Sequence, residues 1–495
     1  MIYIYNSDNK FEKQIDYVVI NIFYLLGLKY NTIEYNQYDN VKSDDILLLY
    51  TDDNSLKFVD NFKNIIIIEP SRKLFCENYL KMGSVPHSIK KFKAEKDKIN
   101  NEDIISIFDD GTDLYINKTF GDKRIIKTNM DIISDIFFML TRYEEVVNKK
   151  AYENERFNRF PASESLAFKN GFLDRPIVNE HIDLLWSFID SFQLGYKRKS
   201  WWGNKNFAAC LTHDVDSVQK YKRFKNIIRP SASLLIRQKK PLKAIKNFFD
   251  YFKGYKGDPY NTFDYIMNLE KSYGFRSSFY FMSGGNSEFD NSYDVYDMKV
   301  KQLIDKIENE DFEAGYHCSY NSYNDFNMMS KEKEKLNELI SKKPYGCRQH
   351  FLRFQIPYTW EIQEQINLLY DTTLSFADAE GFRCGTCFPF KPYDLLENRI
   401  LNIWEIPLII MEGSLQNPNY RAYTPQKGLE ETKKLIDTVK KHKGVFTMLY
   451  HNSSFDPFNT MWDGWKDTYE STMKYLFDND CLGTSGREII DIIIK

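Results

Sequence analysis

Apolar and polar positions alternate along the chain with two different rhythms. In residues 1–125, apolar runs such as "MIYIYN" and "DDILLLYT" predict strands, and "FEKQIDYVVINIFYLLGL" has the apolar spacing of a helix. This alternation predicts a small α/β domain, for which the sequence indicates no role. Residues 126–204 predict mainly helices, and the polar, basic stretch "GYKRKSWWGNK" ends this connecting region.

A second, regular rhythm begins at residue 205 and continues to residue 495. Strand-like apolar runs are separated mostly by helical patterns, which predicts parallel strands joined by crossover helices. Seven such runs suit a barrel better than a short open sheet, so we predict an α/β fold with a seven-stranded β/α barrel over residues 205–495. The runs are "FAACLTHD", "RSSFYFMS", "FEAGYHC", "YGCRQHF", "YDTTLSFAD", "LNIWEIPLIIME" and "GVFTMLYHN".

Polar side chains end six of these seven predicted strands. In a β/α barrel the carboxyl ends of the strands meet on one face, where catalytic residues lie. Asp214 and Asp216 end the first run, and their spacing would place both on one face of a regular strand. His213 alternates with them, so we expect it to point away and to support the site through hydrogen bonds. The other strand-end residues are His317, Arg348, His350, Asp378, Glu412 and His451.

Carboxylates and imidazoles are typical ligands of a divalent metal such as zinc. One aspartate could bind the metal while the other stays free as a base, and His451 could serve as an acid. A base, a metal and an acid together are the components of metal-assisted hydrolysis. The strand ends therefore predict one shared active site.

Composition limits which binding partners and which cellular compartment we expect. The net charge of −3 argues against wholesale binding to nucleic acid. The seven cysteines lack the spacing of a disulfide scaffold, and the N-terminus has neither the basic nor the apolar part of a signal peptide. We therefore expect a cytoplasmic protein. The "CGTC" of Cys384 and Cys387 has no second pair with which to form a zinc site, so we expect it to pack in the interior.

The strand-end motifs resemble those of the polysaccharide deacetylase family, also called the NodB-homology family or carbohydrate esterase family four. "THDVD", "HCSYN", "GCRQHF", "SFADAEGF" and "LYH" resemble its five motifs in order, over roughly residues 205–495. The resemblance implies a distorted seven-stranded β/α barrel that removes acetyl groups from N-acetylated sugars. The N-terminal part resembles an uncharacterised domain that accompanies such deacetylases, which implies no activity.

The same match implies a role for each motif residue. The general base would be Asp214, held ionised by Arg348, and the general acid would be His451, oriented by Asp378. Residues near the motifs are expected to contact substrate, although Glu412 could equally cap a turn. The expected catalytic residues are Asp214, His451, Arg348 and Asp378; the metal ligands Asp216, His317 and Asn321; the substrate-binding residues His350, Arg353 and Glu412; and the supporting residue His213.

The second motif departs from the family pattern at Asn321, where the family has a second histidine. A neutral amide oxygen is a weaker ligand for a transition metal than imidazole nitrogen. Metal binding could therefore be weak, or His213, His350 or a water could complete the set of ligands. Zinc is the metal expected first, and cobalt, nickel, manganese and iron are the alternatives.

The sequence therefore predicts a metal-dependent hydrolase that removes N-acetyl or O-acetyl groups from a glycan or sugar precursor. One alternative is a protein that binds glycan without turnover because its metal site is incomplete. Another is hydrolysis of a different amide C–N bond on the same barrel. Metal content would separate the first alternative from the prediction, and a substrate panel would separate the second.

Residues 220–249, between the first two predicted strands, interleave Lys and Arg with Ile, Leu and Phe. A basic amphipathic segment can lie on an anionic membrane surface, here the inner face of the membrane. It could instead pack on the rim of the barrel or hold an anionic substrate. Pro230 and Pro241 divide the segment into short pieces, which weakens the membrane interpretation. The sequence does not indicate the oligomeric state.

Overall fold

The computed structural model describes residues 1–34, 42–53, 57–93, 103–109, 114–290 and 293–495, and these pack into two compact units. The helical region 126–204 falls mostly within the first unit, and the boundary at Trp201–Trp202 lies close to the predicted start of the barrel. Whether the three regions expected from the sequence are separate domains stays a prediction. The first unit comprises Met1–Glu155, Ser163–Trp201 and Phe382–Asn402, and the second comprises Arg156–Ala162, Trp202–Gly381 and Ile403–Lys495.

The β-strands of the described residues are numbered in chain order. They are β1 (Ile2–Asn6), β2 (Asn31–Thr32), β3 (Ile46–Tyr50), β4 (Asn64–Ile68), β5 (Lys90–Phe92), β6 (Ile104–Ser106), β7 (Ile116–Phe120), β8 (Lys123–Thr128), β9 (Phe207–Val215), β10 (Ser278–Phe281), β11 (Glu313–Cys318), β12 (Cys347–Gln349), β13 (Tyr370–Asp371), β14 (Tyr393–Asp394), β15 (Arg399–Ile400), β16 (Trp404–Glu405), β17 (Ile410–Met411), β18 (Val445–Leu449) and β19 (Cys481–Thr484).

The α-helices of the described residues are numbered in the same way. They are α1 (Glu12–Leu26), α2 (Ile132–Leu140), α3 (Tyr143–Val147), α4 (Lys149–Glu153), α5 (Leu166–Lys169), α6 (Ile177–Ser191), α7 (Lys225–Ala232), α8 (Pro241–Tyr251), α9 (Phe263–Ser272), α10 (Met298–Asn309), α11 (Phe326–Asn337), α12 (Tyr358–Gln365), α13 (Glu412–Gln416), α14 (Pro425–Lys441), α15 (Trp465–Asp478) and α16 (Gly486–Ile494).

The first unit contains a sheet in the order β2-β1-β3-β4-β8-β7. All its pairings are parallel except that of β7 with β8. The central strand β3, "ILLLY", is buried along its whole length, as expected for a strand covered on both faces. α1 ends at Gly27, whose φ of 67° is the left-handed conformation that glycine adopts without strain. The α/β layer predicted for the N-terminal region is therefore present.

The segment Phe382–Asn402 joins the first unit although it follows most of the barrel in sequence. A buried ion-pair cluster holds it there: Glu145 accepts hydrogen bonds from Arg142 Nε at 2.9 Å and from Arg383 Nη2 at 2.6 Å. Burial by itself raises the pKa of Glu145, but Arg383 and Arg142 outweigh burial and lower this pKa to about 2. Cys384 and Cys387 are buried in this segment, as expected from the sequence.

The second unit is built on a sheet in the order β16-β13-β12-β11-β10-β9-β18-β17, and every pairing in it is parallel. Strand β9 is its centre and is buried throughout. One edge of β9 pairs with β18, and the other pairs with β19 along its first half and with β10 along its second half. The predicted parallel β/α character of residues 205–495 is therefore confirmed.

The two ends of this sheet belong to one short run of the chain. β16 pairs with β13, whereas β17, five residues later, pairs with β18. In the loop between them, Ile406 N donates to Asp371 O at 2.9 Å and Ile409 N donates to Thr447 O at 3.1 Å. The sheet thus curls back on itself, and its strand ends collect on one side.

The individual strands differ from the predicted seven. "LNIWEIPLIIME" forms two short strands, β16 and β17, because it contains Pro407, which has no N–H to donate to a neighbouring strand. "YDTTLSFAD" is a strand only at Tyr370–Asp371, because the Asp371 carboxylate accepts a hydrogen bond from Thr373 N at 2.8 Å and turns the chain. The additional strand β19 was not predicted.

A helix that crosses a membrane must be long and apolar. Within the described residues, no helix combines the length and the apolar content that crossing a bilayer requires. The compartment of the protein stays a prediction.

Candidate active site

Residues from the carboxyl ends of β9, β11, β12 and β18 meet on one side of the second unit. Asp216, His317 and His350 each offer a ligand atom, and these three atoms all lie within 4.8 Å of one another. Asp214 and His451 flank them: His317 Nε2 is 3.7 Å from Asp214 Oδ2, and His451 Nε2 is 3.7 Å from Asp216 Oδ2. The strand ends predicted to share a site therefore do come together.

His317 is held in the orientation that a metal ligand needs. It is buried, and the parallel register pairs it with Arg348 on the neighbouring strand. Its Nδ1 lies 2.9 Å from the carbonyl oxygen of Arg348, so Nδ1 carries the proton and donates. Nε2 then faces Asp216 Oδ1 at 3.1 Å, on the side where a metal would bind. Metal-binding histidines usually donate their other N–H in this way.

His350 reaches the cluster through a tight turn, His350–Leu352, that follows β12. Phe351 and Leu352 have φ angles of 60° and 54°, a left-handed conformation that costs energy in residues other than glycine. Arg159 Nη1 donates to the Phe351 carbonyl oxygen at 3.2 Å and thereby helps to hold the turn. His350 Nε2 lies 3.6 Å from Asp216 Oδ1, and Nδ1 lies 3.7 Å from Asp290 Oδ1.

Asn321 was predicted as a metal ligand, but its side chain forms hydrogen bonds outside this cluster. Its side chain is exposed, its Nδ2 donates to Asn286 Oδ1 at 3.1 Å, and its Oδ1 accepts from Arg353 Nη1 at 3.3 Å. β11 ends at Cys318, and Asn321 lies in the polar loop after it. His350, which was predicted to bind substrate and suggested as an alternative ligand, offers the third ligand atom of the cluster.

Asp214 is a buried carboxylate with an unused oxygen. It is 2% exposed, and its Oδ1 has no hydrogen-bond partner among the described residues. A buried polar atom without a partner is costly, and such atoms are common where a substrate or water binds. Asp214 lines the same cleft as His451 and His350.

His451 is oriented by Glu412 and not, as predicted, by Asp378. Glu412 Oε1 accepts hydrogen bonds from His451 Nδ1 at 2.8 Å and from His451 N at 2.7 Å. Burial by itself lowers the pKa of His451, but Glu412 and Asp216 outweigh burial and raise it to about 10. Asp378 instead accepts a hydrogen bond from Ala162 N at 3.2 Å. In the Glu412–His451 pair, the other ring nitrogen of His451, Nε2, stays protonated and faces the cleft.

Arg348 does not form the predicted ion pair with Asp214. It is buried, and its Nη2 donates to Thr212 Oγ1 at 2.9 Å and to Thr372 Oγ1 at 3.4 Å. The side chain extends into the interior of the sheet, because β12 places it beside β9 and β13. Its Nε and Nη1 have no hydrogen-bond partner among the described residues, and a role for Arg348 in the reaction stays a prediction.

Two further predicted residues lie around the site. His213 Nδ1 is 2.8 Å from Tyr450 O, and its Nε2 is 3.0 Å from Glu270 Oε1, which matches the supporting position expected for it. Arg353 was expected to contact substrate, but it is buried and donates from Nε to Phe157 O at 2.9 Å. Its guanidinium lies between the rings of Tyr320 and Tyr323.

The cluster of Asp216 suits a divalent metal. One carboxylate and two imidazoles are a donor set that zinc and related metals bind, with a position left open for substrate or water. Burial by itself raises the pKa of Asp216, but His350, His317 and His451 outweigh burial and hold it well below its usual range. The Asp216 side chain is 38% exposed, so the donor atoms face the cleft.

The cleft over the cluster has a volume of about 200 Å³. Its polar side carries Asp214, Asp216 and His451, and the side chains of Arg159 and Tyr420 also line it. Arg159 and Tyr420 were not predicted, because Arg159 lies in a loop before the barrel and no motif marks Tyr420. The apolar side of the cleft consists of Leu352, Ala377, Met411 and Leu449.

Comparisons with known proteins give limited information. A family model described as a family of unknown function (DUF7033) matches residues 2–193, within the part that resembles an uncharacterised domain. No curated protein sequence matches the chain. A Mycobacterium smegmatis protein provisionally described as a polysaccharide deacetylase is 14% identical, with a TM-score of 0.40, over 60% of this chain and 93% of its own.

A second solved structure is Agd3, described as a novel carbohydrate deacetylase. It is 10% identical to this chain, with a TM-score of 0.33, over 100% of this chain and 87% of its own. Similarity this low assigns neither a family nor an activity. Membership of the polysaccharide deacetylase family therefore stays a prediction from the motifs.

Proposed function

We propose that the second unit is a metal-dependent hydrolase that removes acetyl groups from an N- or O-acetylated carbohydrate. One observation carries the proposal: an unpartnered buried carboxylate, Asp214, and a Glu412-oriented histidine, His451, flank a three-residue metal-ligand cluster in a single cleft. A base, a metal-ligand set and an acid within one cleft are what hydrolysis of an amide or ester requires.

The three residues that would hold the metal are Asp216, His317 and His350. A divalent ion bound there would polarise the acyl carbonyl and lower the pKa of a bound water. The fit rests on the orientation of His317, whose Nδ1 proton is engaged by a backbone carbonyl so that Nε2 is free to coordinate. Zinc is the first candidate, because two imidazoles favour a transition metal.

Asp214 would accept a proton from the attacking water. Its Oδ1 has no hydrogen-bond partner among the described residues, so a water or substrate proton can be its partner. His451 would donate a proton to the leaving nitrogen or oxygen, which is otherwise a poor leaving group. The Glu412 carboxylate keeps the imidazole protonated and fixes its orientation, with Nε2 directed to the cleft.

The cleft has an apolar side on which an acetyl group could bind. Its space of about 200 Å³ is bounded on that side by Leu352, Ala377 and Leu449, against which the methyl group would pack. The Asp216 side chain is exposed to the same cleft, so a larger carbohydrate could extend outward from the site. The carbohydrate part of the proposal comes from the motif resemblance, and its identity is left to the substrate panel.

The test is acetate release from a panel of N-acetylated and O-acetylated oligosaccharides by the purified protein, with added zinc and after chelation. Asp214→Asn should retain the metal and lose about 10²–10⁴-fold in rate, because the base is removed and the ligands remain. Asp305→Asn, the same change on the exposed side of α10, is the matched control and should leave the rate unaltered.

Near-normal acetate release by Asp214→Asn would reject the role of Asp214. Glycan binding without any product from the parent protein would favour the binding-only alternative, whose original basis was an incomplete set of ligands. Release of a different acid from an amide panel, with no acetate, would favour hydrolysis of another C–N bond.

A further inference from the structure

Residues 222–253 leave the barrel as a pair of helices that we call the basic excursion. It consists of α7, a π-helical turn at Ser233–Arg237, and α8. Ile227, Leu234 and Ala244 are buried and attach the excursion to the second unit, the last two together with Phe458. In this respect the excursion packs on the rim of the barrel, one of the three possibilities that the sequence left open.

The amphipathic helix α8 exposes its apolar face. Leu242, Ile245, Phe249 and Phe252 follow the spacing of a single helix face, and that face is exposed to solvent. The opposite face is buried at Ala244, Asn247 and Asp250, and Asn247 donates to Tyr221 OH at 3.1 Å. An ordinary surface helix buries its apolar face, so the exposed stripe requires an explanation.

The apolar surface continues beyond α8. Leu235 and Ile236 are exposed in the π-helical turn, and Ile228 is exposed on α7. The largest exposed fractions are 81% at Leu242 and 72% at Ile236, so these side chains are almost fully in water. At the base of α8, the ring of Phe248 contacts the rings of Phe224 and Phe252. Exposed apolar side chains therefore occur on all three parts of the excursion.

Cationic side chains surround this surface. Residues 222–253 contain ten Lys or Arg and one acidic residue, Asp250, whereas the whole chain has a net charge of −3. Some of these cations are already paired: Lys240 and Lys243 both bind Asp463. In the described part of the chain, no ion pair is formed by Lys222, Arg223, Lys225, Arg229, Arg237 or Lys239.

We propose that the basic excursion docks the protein on an anionic lipid surface. Its exposed apolar face would lie among the headgroups and upper acyl chains, and its unpaired cations would face lipid phosphates or carboxylates. The charge complementarity selects this occupant, since a symmetric second copy would bring two strongly basic surfaces together. The inference is independent of the proposed hydrolase activity, because no residue of the excursion lines the candidate site.

The experiment is sedimentation of the full-length protein with phosphatidylcholine vesicles that contain increasing fractions of phosphatidylserine. The bound fraction should rise with phosphatidylserine and fall with added salt, because screened charges attract less. Light scattering of the protein alone, over a range of concentrations, is measured in parallel. Circular dichroism and thermal unfolding check that every variant below is folded.

Two variants separate the two contributions to binding. Exchanging Lys225, Arg229 and Arg237 for Glu should lower the partition coefficient by at least about tenfold and reduce its dependence on salt. Exchanging Leu242, Ile245 and Phe249 for Gln should also lower it by at least about tenfold, with the dependence on salt retained. Gln is a good helix former, so α8 should persist.

Each variant has a matched control elsewhere on the surface. The charge control exchanges Lys13, Lys118 and Lys331 for Glu, which changes the net charge by the same amount at scattered exposed positions. The apolar control exchanges Phe120, Met298 and Phe477 for Gln; each of these is more than half exposed. Both controls should bind vesicles as the parent protein does.

Three outcomes would overturn the proposal. The protein could stay in the supernatant at every lipid composition and salt concentration. The excursion variants and their controls could bind equally well. Finally, the parent could form a dimer that the Gln variant loses while vesicle binding is absent, which would identify a second copy of the chain as the occupant.

Discussion

Each histidine at the candidate site has one ring nitrogen that either forms a hydrogen bond or faces a carboxylate. His317 donates to a backbone carbonyl, His451 donates to Glu412, and His350 faces Asp290. The other nitrogen of each ring is thereby directed to the cleft. The short hydrogen bond to Glu412 sets His451 apart as the candidate acid, whereas His317 and His350 are candidate metal ligands. Two predictions at the residue scale follow from this difference.

The first prediction concerns the third metal ligand. His350→Ala should lower the metal bound after dialysis against a weak chelator by at least about tenfold, because one of three donors is lost. Asn321→Ala, four residues after His317, is the control and should retain the parent's metal content, since its amide bonds to Asn286 and Arg353. Elemental analysis of both proteins is the measurement, and a loss in Asn321→Ala with none in His350→Ala would reverse the assignment.

The second prediction concerns the orientation of His451. Glu412→Gln should lower kcat by about 10²-fold or more with little change in KM, because a neutral amide neither fixes the ring nor keeps it protonated. Its metal content should equal that of the parent, since Glu412 is not in the ligand cluster. Ser454→Ala removes only a hydroxyl that donates to Glu412 and should have a much smaller effect. Equal kcat values for Glu412→Gln and the parent would exclude this role.

The motif residues that lie on regular strands could be predicted from the sequence, and the others could not. Asp214, Asp216 and His317 belong to β9 and β11 or follow them directly, so their spacing fixes where their side chains point. His350 and Glu412 reach the site through turns, and turn geometry depends on contacts with distant residues. Asn321 was expected as a ligand only from the resemblance to the family's second motif, but β11 has ended before this residue.

At the scale of elements, the turn His350–Leu352 depends on the loop that carries Arg159. Arg159→Met keeps much of the apolar stem but loses the hydrogen bonds to Phe351 O and Tyr420 OH. We expect metal affinity to fall by about 10–100-fold, as for other residues that orient a ligand from behind. A chelator titration measures this, and Arg156→Met, in the same loop with an exposed side chain, is the control. Equal affinities for the two variants would show that the turn holds itself.

Long periodic elements were predictable, whereas short ones were not. The helical pattern "LEETKKLIDTVKKH" lies within α14 except for its last residue, and "KVKQLIDKIENED" largely coincides with α10, because an apolar face repeated over several turns is a strong signal. β19 is only "CLGT", and it forms because the first half of β9 offers it a free edge. That partnership joins residues far apart in sequence, so no local pattern could reveal it.

At the scale of the whole molecule, the buried cluster around Glu145 couples stability to pH. Glu145→Gln should destabilise the protein by about 3–5 kcal/mol at pH 7, because it removes a buried carboxylate that pairs with two buried guanidinium groups. The folded pKa of Glu145 is about 2, below its ordinary value of 4.5, so its contribution is complete above the ordinary value and is lost as pH falls towards the folded value. The difference from the parent should therefore narrow between pH 7 and pH 3.5.

Thermal unfolding at several pH values measures this difference. Glu164→Gln is the matched control, since Glu164 pairs with Lys169 on the surface and should contribute little. A difference between Glu145→Gln and the parent that stays constant with pH would mean that Glu145 is not ionised by its arginines as described.

The exchange of segments between the two units has a consequence for synthesis. Residues 382–402 complete the first unit, and residues 156–162 belong to the second. As the chain leaves the ribosome, the N-terminal unit has to wait for residue 402, by which time the strands from β9 to β13 have already emerged. The first unit therefore cannot be completed before much of the second has emerged, and the second is completed only when residues 403–495 follow. A fragment ending near residue 201 would lack Arg383, and its buried Glu145 and Arg142 would be left for chaperones and proteases to recognise.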